Sequence, residues 1–350
     1  MREQPRPGLI ALFGSGETSP SGRRIFERVL QRCPEGLQLA LLETPSGFEP
    51  NSAQVVGRIA DFITERLQNY RPRCHVIPAR KRGTPFSPDD QDLLAPMLQA
   101  DVLFMGPGSP TYAVRQLRGS LAWAYLRALH RLGVHLTLAS AASIAISAYA
   151  LPVYEIYKVG EDLHWKPGLN LLADYGFNLI FVPHWNNSDG GEELDTSCCY
   201  LGVARFERLL DLLPDECVVV GIDEHTGLLM DLQAGRCEVV GAGGVTVGRA
   251  GKWRTFREEF PLQELGTLLW PSPGEGVDAT VWQRVERARK EKRRQSPRPP
   301  AEVLALVARR EQARQRKDWA RADALRAQIR ALGWMVQDTP DGPRLVTVEQ

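Results

Sequence analysis

The sequence is short of several things that would assign a protein at once. Its only six cysteines, Cys33, Cys74, Cys198, Cys199, Cys217 and Cys237, form no CxxC pair and no zinc-ligand spacing. That argues against a disulfide scaffold or a zinc module and suits a reduced, cytoplasmic chain. No apolar run is long enough to cross a bilayer, and Leu9–Phe13 is too short for the apolar core of a signal peptide. The glycine turn "GSGE" (14–17) is not GxGxxG, so a dinucleotide fingerprint is missing. An excess of one charge is missing as well, since the formal net charge is +1 over 350 residues. The near balance conceals a division. Residues 277–350 carry 17 basic and 10 acidic side chains, and residues 1–276 carry 26 and 32, giving an acidic body and a basic tail.

What is present is a regular cadence. Short, continuously apolar runs at 9–13, 37–43, 75–79, 101–106, 134–140, 179–184 and 217–223 read as strands covered on both faces. Amphipathic segments at 21–32, 52–70, 89–100, 121–132 and 201–213 lie between them, with capping residues such as Ser52 and the "SPDD" at 87–90. This order predicts an α/β fold with a doubly wound, mostly parallel sheet. Residues 226–247 read as a β-hairpin or meander added at one edge. The texture changes after Trp270. "PSPGEG" breaks the chain, 278–294 is a helix ending in a basic run, and "QSPRPP" (295–300) is a stiff linker. Two further helices, 301–316 and 319–332, end at Gly333. The expected organisation is a body over 1–270, a breaker, basic helix and linker over 271–300, and a small C-terminal helical module over 301–350.

Functional residues of such sheets gather beyond the C-terminal strand ends, and several unusual segments fall there. In "LTLASAASIAIS" (136–147) a strand runs into small residues and then a helix. That order suits a nucleophile turn carrying Ser140. Such a turn usually has glycine two residues either side of the serine; here Leu138 and Ala142 stand there, and a tight packing turn is the competing reading. "FMGPGSPTYAVRQL" (104–117) is a second strand-to-helix turn, whose Gly108 and Ser109 N–H groups are candidate oxyanion donors. In "FVPHWNNSDGGEELDTS" (181–197), His184 follows a strand and precedes a polar loop, the placement of a general base. Glu155 is the candidate carboxylate to orient it, with Glu161 and Asp162 as alternatives; His164 is a candidate substrate contact.

Taken together, "MGPGS", "ASAAS", "VPHWNNSDGGEE", "VGIDEHTGLL" (220–229) and "VVGAGGVTV" resemble the dipeptidase E and cyanophycinase family of serine peptidases across roughly residues 8–250. The resemblance implies a class I glutamine amidotransferase-like fold and acyl transfer. It places the family's serine on Ser140, its histidine on His184 and its acid on Glu155. Gly108, Ser109 and Ala141 would form the oxyanion hole. A small peptide, aspartyl or β-aspartyl, would be the substrate, with Arg115, Lys158, Asn186, Asn187 and Arg205 as candidate contacts. No metal or nucleotide is required. No cysteine stands near the serine in sequence, which separates the chain from glutamine amidotransferases proper.

The tail resembles another family. "KDWARADALRAQIRALG" and the following "DTPDG" are similar to the C-terminal helical segment of cysteinyl-tRNA synthetases, while the HIGH-like and KMSKS-like signatures of those enzymes are missing. The resemblance implies an RNA or tRNA contact over residues 284–330, drawing on Arg309, Arg310, Arg314, Arg316 and Lys317; a packing or homo-oligomer role is the alternative. Three functions remain open at this stage: a serine hydrolase with an appended basic module, a non-catalytic relative that binds a small ligand or RNA, and a hydrolase of aminoacyl esters serving tRNA quality control.

Overall fold

The computed structural model describes residues 6–34, 36–295, 299–339 and 342–347. Part of the linker expected at 295–300 and residues 340–341 and 348–350 lie outside that set.

The strands, in chain order, are β1 (Ile10–Phe13), β2 (Gln38–Leu42), β3 (Arg73–Ile77), β4 (Val102–Met105), β5 (His135–Ala139), β6 (Tyr149–Ala150), β7 (Lys166–Pro167), β8 (Leu179–Val182), β9 (Val218–Ile222), β10 (Thr226–Asp231), β11 (Arg236–Gly241), β12 (Val245–Arg249), β13 (Lys252–Phe256), β14 (Phe260–Pro261), β15 (Trp334–Thr339) and β16 (Gly342–Thr347). The helices are α1 (Pro20–Leu30), α2 (Ser52–Arg66), α3 (Ala95–Gln99), α4 (Pro110–Leu117), α5 (Leu121–Arg131), α6 (Ala141–Ala145), α7 (Ser197–Tyr200), α8 (Val203–Leu210), α9 (Ala279–Gln295), α10 (Ala301–Gln315) and α11 (Trp319–Ala331).

The main sheet runs β14-β11-β10-β1-β5-β4-β2-β3. Its β1, β5, β4, β2 and β3 are parallel, and β10, β11 and β14 extend it antiparallel. The expected α/β class, a large and mostly parallel sheet flanked by helices, is what the chain forms. Strands β1, β4, β5 and β8 are apolar and buried at almost every position because helices cover both faces.

Three expectations need correction. The 226–247 segment divides: β10 and β11 form an antiparallel hairpin added at the β1 edge of the parallel strands, as expected, whereas β12 leaves that sheet to pair with β9. Strands β8 and β9 consequently belong to a second sheet of order β13-β12-β9-β8. Apolarity reports that a strand is buried on both faces, and both sheets satisfy it. The helix expected at 89–100 is confined to Ala95–Gln99, because Asp90 Oδ1 accepts from the N–H groups of Asp92 and Leu93 and holds a turn there. Ser52 is not a cap either; its hydroxyl donates to Glu43 Oε2 at 3.0 Å.

The basic helix α9 docks on the body. Val285 and Ala288 are buried, Lys292 Nζ reaches Asp101 Oδ1 at 2.7 Å, and Arg289 donates to the Ala100 carbonyl at 2.7 Å. Arg284 reaches Gln91, and Arg293 the Leu132 carbonyl. Positions 284/285, 288/289 and 292/293 recur at helical spacing, so one face carries both the apolar contacts and the cations. Beyond the linker, α10, α11 and the β15–β16 hairpin share an apolar cluster built on Val303, Leu306, Leu325, Ile329 and Trp334. The module therefore adds a two-stranded sheet to the helical pair expected.

His130 supplies a pH prediction for the body. Its ring is fully buried; Nε2–H donates to the Gly8 carbonyl at 2.9 Å, and Nδ1 accepts from Tyr175 Oη at 3.0 Å. Burial pushes its pKa down to about 4 from an ordinary 6.5. The neutral ring is favoured in the fold, so the stability this group contributes is full above pH 6.5 and is lost as pH falls toward 4. The maximum loss is about 3 kcal/mol. Thermal melts between pH 7 and 4 should show this slope in the wild type and a flattened one in His130→Gln.

Candidate active site

The residues of interest sit where chain leaves the C-terminal ends of β4, β5, β8 and β9. Ser140 follows β5 in a conformation with φ 50° and ψ −110°, then α6 begins at Ala141. Such a backbone costs about 1–3 kcal/mol and persists only where the surroundings hold it. Here Leu138 and Ala142 are wholly buried in one apolar cluster, and Ser143 Oγ donates to the Leu138 carbonyl at 3.0 Å. The leucine faces the core, so its bulk does not crowd the turn.

His184 also has positive φ, 53°, and is fixed through its backbone: its N–H donates to the Gly14 carbonyl at 3.1 Å, and its carbonyl accepts from Cys199 N–H at 3.1 Å. Ser140 Oγ lies 3.0 Å from His184 Nε2. On the other side of the ring, Nδ1 lies 2.9 Å from Glu224 Oε1. A carboxylate can only accept, so Nδ1 carries the ring proton and Nε2 is left to accept from the serine hydroxyl. The bond from His184 holds the Glu224 carboxyl below its ordinary range, with Asn187 adding to the effect. Asn187, nearly fully buried, donates from Nδ2 to Glu224 Oε1 at 3.0 Å, while Asn186 Oδ1 accepts from the Glu224 N–H at 2.7 Å.

Glu155, the acid expected at His184, is not there. It lies in the π-helical turn Glu155–Val159, where Oε1 accepts from Thr111 Oγ1 at 2.5 Å and stands 3.6 Å from Lys166 Nζ. Glu161 and His164 face each other at 3.6 Å within their own loop. Glu224 sits where the chain crosses from β9 in one sheet to β10 in the other, a junction that strand periodicity does not reveal. The available signal was "GIDE": a carboxylate immediately past an apolar strand, on the side of the sheet that holds Ser140 and His184.

The other expected residues divide. Gly108, Ser140, Ala141, Lys158 and His184 line one cavity of about 530 Å³, together with Asp189, Cys199 and Tyr200. Ala141 N–H is the first donor of α6 and has no acceptor within that helix. Gly108 has φ 141°, and a Cβ there would lie 2.1 Å from the Pro45 carbonyl oxygen. Ser109 is otherwise engaged: its N–H donates to Pro45 O at 2.9 Å, and its Oγ caps α4 by accepting from Tyr112 N–H. Arg205 gives its guanidinium to the Leu201 and Tyr200 carbonyls. Asn186 and Asn187 serve Glu224 as described. Arg115 borders a second cavity of about 1120 Å³, and Tyr154 lines both. Cys199 is distant from Ser140 in sequence yet shares its cavity; burial pushes the thiol well above its ordinary value, which leaves it a poor nucleophile. Burial likewise raises Tyr200 to about 12. Among the described residues, no group of three or more His, Cys, Asp or Glu side chains is placed to hold a metal ion, and no helix is long and apolar enough to cross a membrane.

In the tail, Arg310 is buried and bidentate to Asp338 at 2.9 Å, and Arg314 joins the same carboxylate. These two arginines hold α10 to the hairpin. Arg309, Arg316 and Lys317 remain exposed, joined by Arg321, Arg326 and Arg330. With four α9 cations spent on the body, the exposed basic surface is narrower than 284–330.

Comparison with known proteins treats the two parts separately. A solved peptidase from an acI-B1 Actinobacterium has a similar fold, with a TM-score of 0.58 at 18% identity over 74% of this chain and 98% of that one. The family model of the cysteinyl-tRNA ligase anticodon binding domain matches residues 296–343. The cysteine–tRNA ligase of Methanosarcina mazei is 49% identical over 51 residues, which is 15% of this chain and 11% of that protein. That of Rubrobacter xylanophilus is 40% identical over 97 residues, 27% of this chain and 18% of the relative. The chain thus spans between a tenth and a fifth of the length of these curated relatives. Its body has the fold of a known peptidase, and its tail is similar to the anticodon-binding segment of cysteine–tRNA ligases.

Proposed function

We propose that the body is a serine-type hydrolase acting on small peptides. The observation that carries this reading is the chain Ser140–His184–Glu224, with both bonds at 3.0 Å or less and the serine on a strained turn. Ser140 Oγ attacks the carbonyl carbon while His184 Nε2 takes its proton. Glu224 keeps Nδ1 protonated and stabilises the imidazolium. The N–H groups of Ala141 and Gly108 receive the oxyanion. His184 then gives the proton to the leaving amine, and water releases the acyl group by the same route reversed. Lys158, a cation lining the serine's cavity, suits an acidic side chain and so an aspartyl or β-aspartyl residue. A fluorophosphonate probe tests the core of the reading: the expected result is an adduct mapped to Ser140 and turnover of aspartyl dipeptides. Folded protein that gives neither adduct nor turnover would overturn it.

Gly108 gives a prediction for the oxyanion site. Gly108→Ala forces a methyl against Pro45 O and pushes the turn aside. The expected result is a fall in kcat of about 10²-fold with KM little changed, measured on a protein whose circular dichroism matches the wild type.

A second reading, for the tail, is an RNA contact. It is supported by the match to an anticodon binding domain and by the exposed Arg316, Lys317, Arg321 and Arg326. Binding to tRNA that weakens steeply with salt, and further in Arg316→Glu/Lys317→Glu, is expected; salt-independent absence of binding would remove this reading.

A further inference from the structure

The larger cavity, of about 1120 Å³, has no part in the reaction described so far. It adjoins the serine's cavity, with Tyr154 as the shared wall. The asymmetry is informative. Ser140, His184, Gly108 and Ala141 all line the smaller space, so the reacting carbonyl lies there. The neighbouring space is twice as large, so the pair of cavities has room for a ligand well beyond a dipeptide.

Its lining has a definite chemistry. Phe48 and Tyr154 expose large aromatic faces, and the Phe48 ring stands 5.2 Å from that of Tyr112. The Arg115 guanidinium lies over Tyr112, 5.1 Å from the ring centre, and Lys166 adds a second cation. Aromatic faces flanked by cations are what a nucleobase with its phosphate requires: the base stacks, and the arginine and lysine meet the phosphate. Arg118, Thr111 and the carboxylates Glu49 and Glu155 complete the polar lining, with Lys166 3.6 Å from Glu155. Glu155 Oε2 is buried with no hydrogen-bond partner among the described residues, and the residue is part of this cavity's lining. A buried acceptor without a donor calls for one from a ligand, and ribose hydroxyls and exocyclic amines are such donors. The tail that matches an RNA-binding domain belongs to the same chain.

Resting on the serine-hydrolase reading and extending it beyond small peptides, we infer that the site also hydrolyses an aminoacyl ester on the 3′-terminal ribose of an RNA, with the amino acid in the Ser140 cavity and the terminal nucleoside in the larger one. Ser140 Oγ adds to the ester carbonyl and the bond from that carbon to the ribose oxygen breaks. The serine proton passes through His184 to the ribose oxygen, freeing the RNA hydroxyl. A water deprotonated by His184 then cleaves the acyl-serine, restoring Ser140 and releasing the amino acid.

The test uses the full chain and total tRNA charged with all twenty amino acids, reading surviving ester by periodate protection of the 3′ ends. The expected result is ester loss at least tenfold faster than spontaneous hydrolysis, abolished in Ser140→Ala. In Arg115→Ala and Phe48→Ala, the ratio of the tRNA rate to the p-nitrophenyl acetate rate is expected to fall tenfold or more. Protein that takes the fluorophosphonate at Ser140 yet leaves charged tRNA at the spontaneous rate overturns this inference and leaves the hydrolase standing; a ratio unchanged by both substitutions also overturns it. Protein that takes no probe at Ser140 defeats both.

Discussion

Ser140→Ala is expected to lower kcat on a small ester or aspartyl dipeptide by about 10⁴-fold or more, with binding retained. The hydroxyl's described hydrogen bond runs to His184, so its removal leaves the apolar packing of the turn in place. Ser140→Gly sharpens the point. A residue at φ 50° and ψ −110° stores strain that glycine does not feel. The glycine variant is expected to be as inactive as the alanine variant but more stable, by about 1–2 kcal/mol at most, as read by denaturant unfolding. Activity lost together with a gain in stability would identify the turn as strained for chemistry. A glycine variant less stable than the alanine variant would mean that the backbone strain has been misplaced.

Much of this arrangement is legible in the residues themselves. The parallel strands announce themselves because each is a short apolar run, and burial on two faces demands just that. Ser140 and His184 are legible for a related reason: each follows such a run, where a sheet of this kind presents its functional side chains. What escapes is anything decided between distant segments. β8 and β9 look like further members of the main sheet, since a buried strand reads alike in either sheet. Glu155 looks like the acid because it is a carboxylate 15 residues beyond the serine, whereas Glu224 reaches His184 only through the crossing from one sheet to the other. The arginines of the tail divide in the same way. Arg310 and Arg314 read as free cations until the hairpin brings Asp338 against them, and four of the α9 cations read as free until the body receives the helix.

The choice between the two carboxylates carries the second large expected effect. Glu224→Gln keeps the shape and an acceptor oxygen but admits an amide that can turn its NH₂ toward the ring. Nδ1 then loses its obligatory acceptor, the ring can place its proton on Nε2, and Nε2 can no longer take the serine proton. A fall in kcat of about 10³–10⁴-fold is expected. Asn187→Ala, which removes the amide holding Glu224 Oε1, is expected to cost far less, about tenfold. Glu155→Gln touches neither ring nitrogen, so its kcat on a small ester is expected to stay well above that of Glu224→Gln. A reversed order of those two variants would return the orienting role to Glu155. The sign of the acid dependence gives an independent check. Glu224 is held below its ordinary 4.5 by the bond from His184, so its contribution to stability is present above that pH and is lost as pH falls through the depressed value. The Gln variant has no carboxyl to protonate there. Its unfolding free energy is expected to lack that part of the acid decline, whereas Glu155→Gln keeps it, because the protonation responsible belongs to the carboxylate on the histidine.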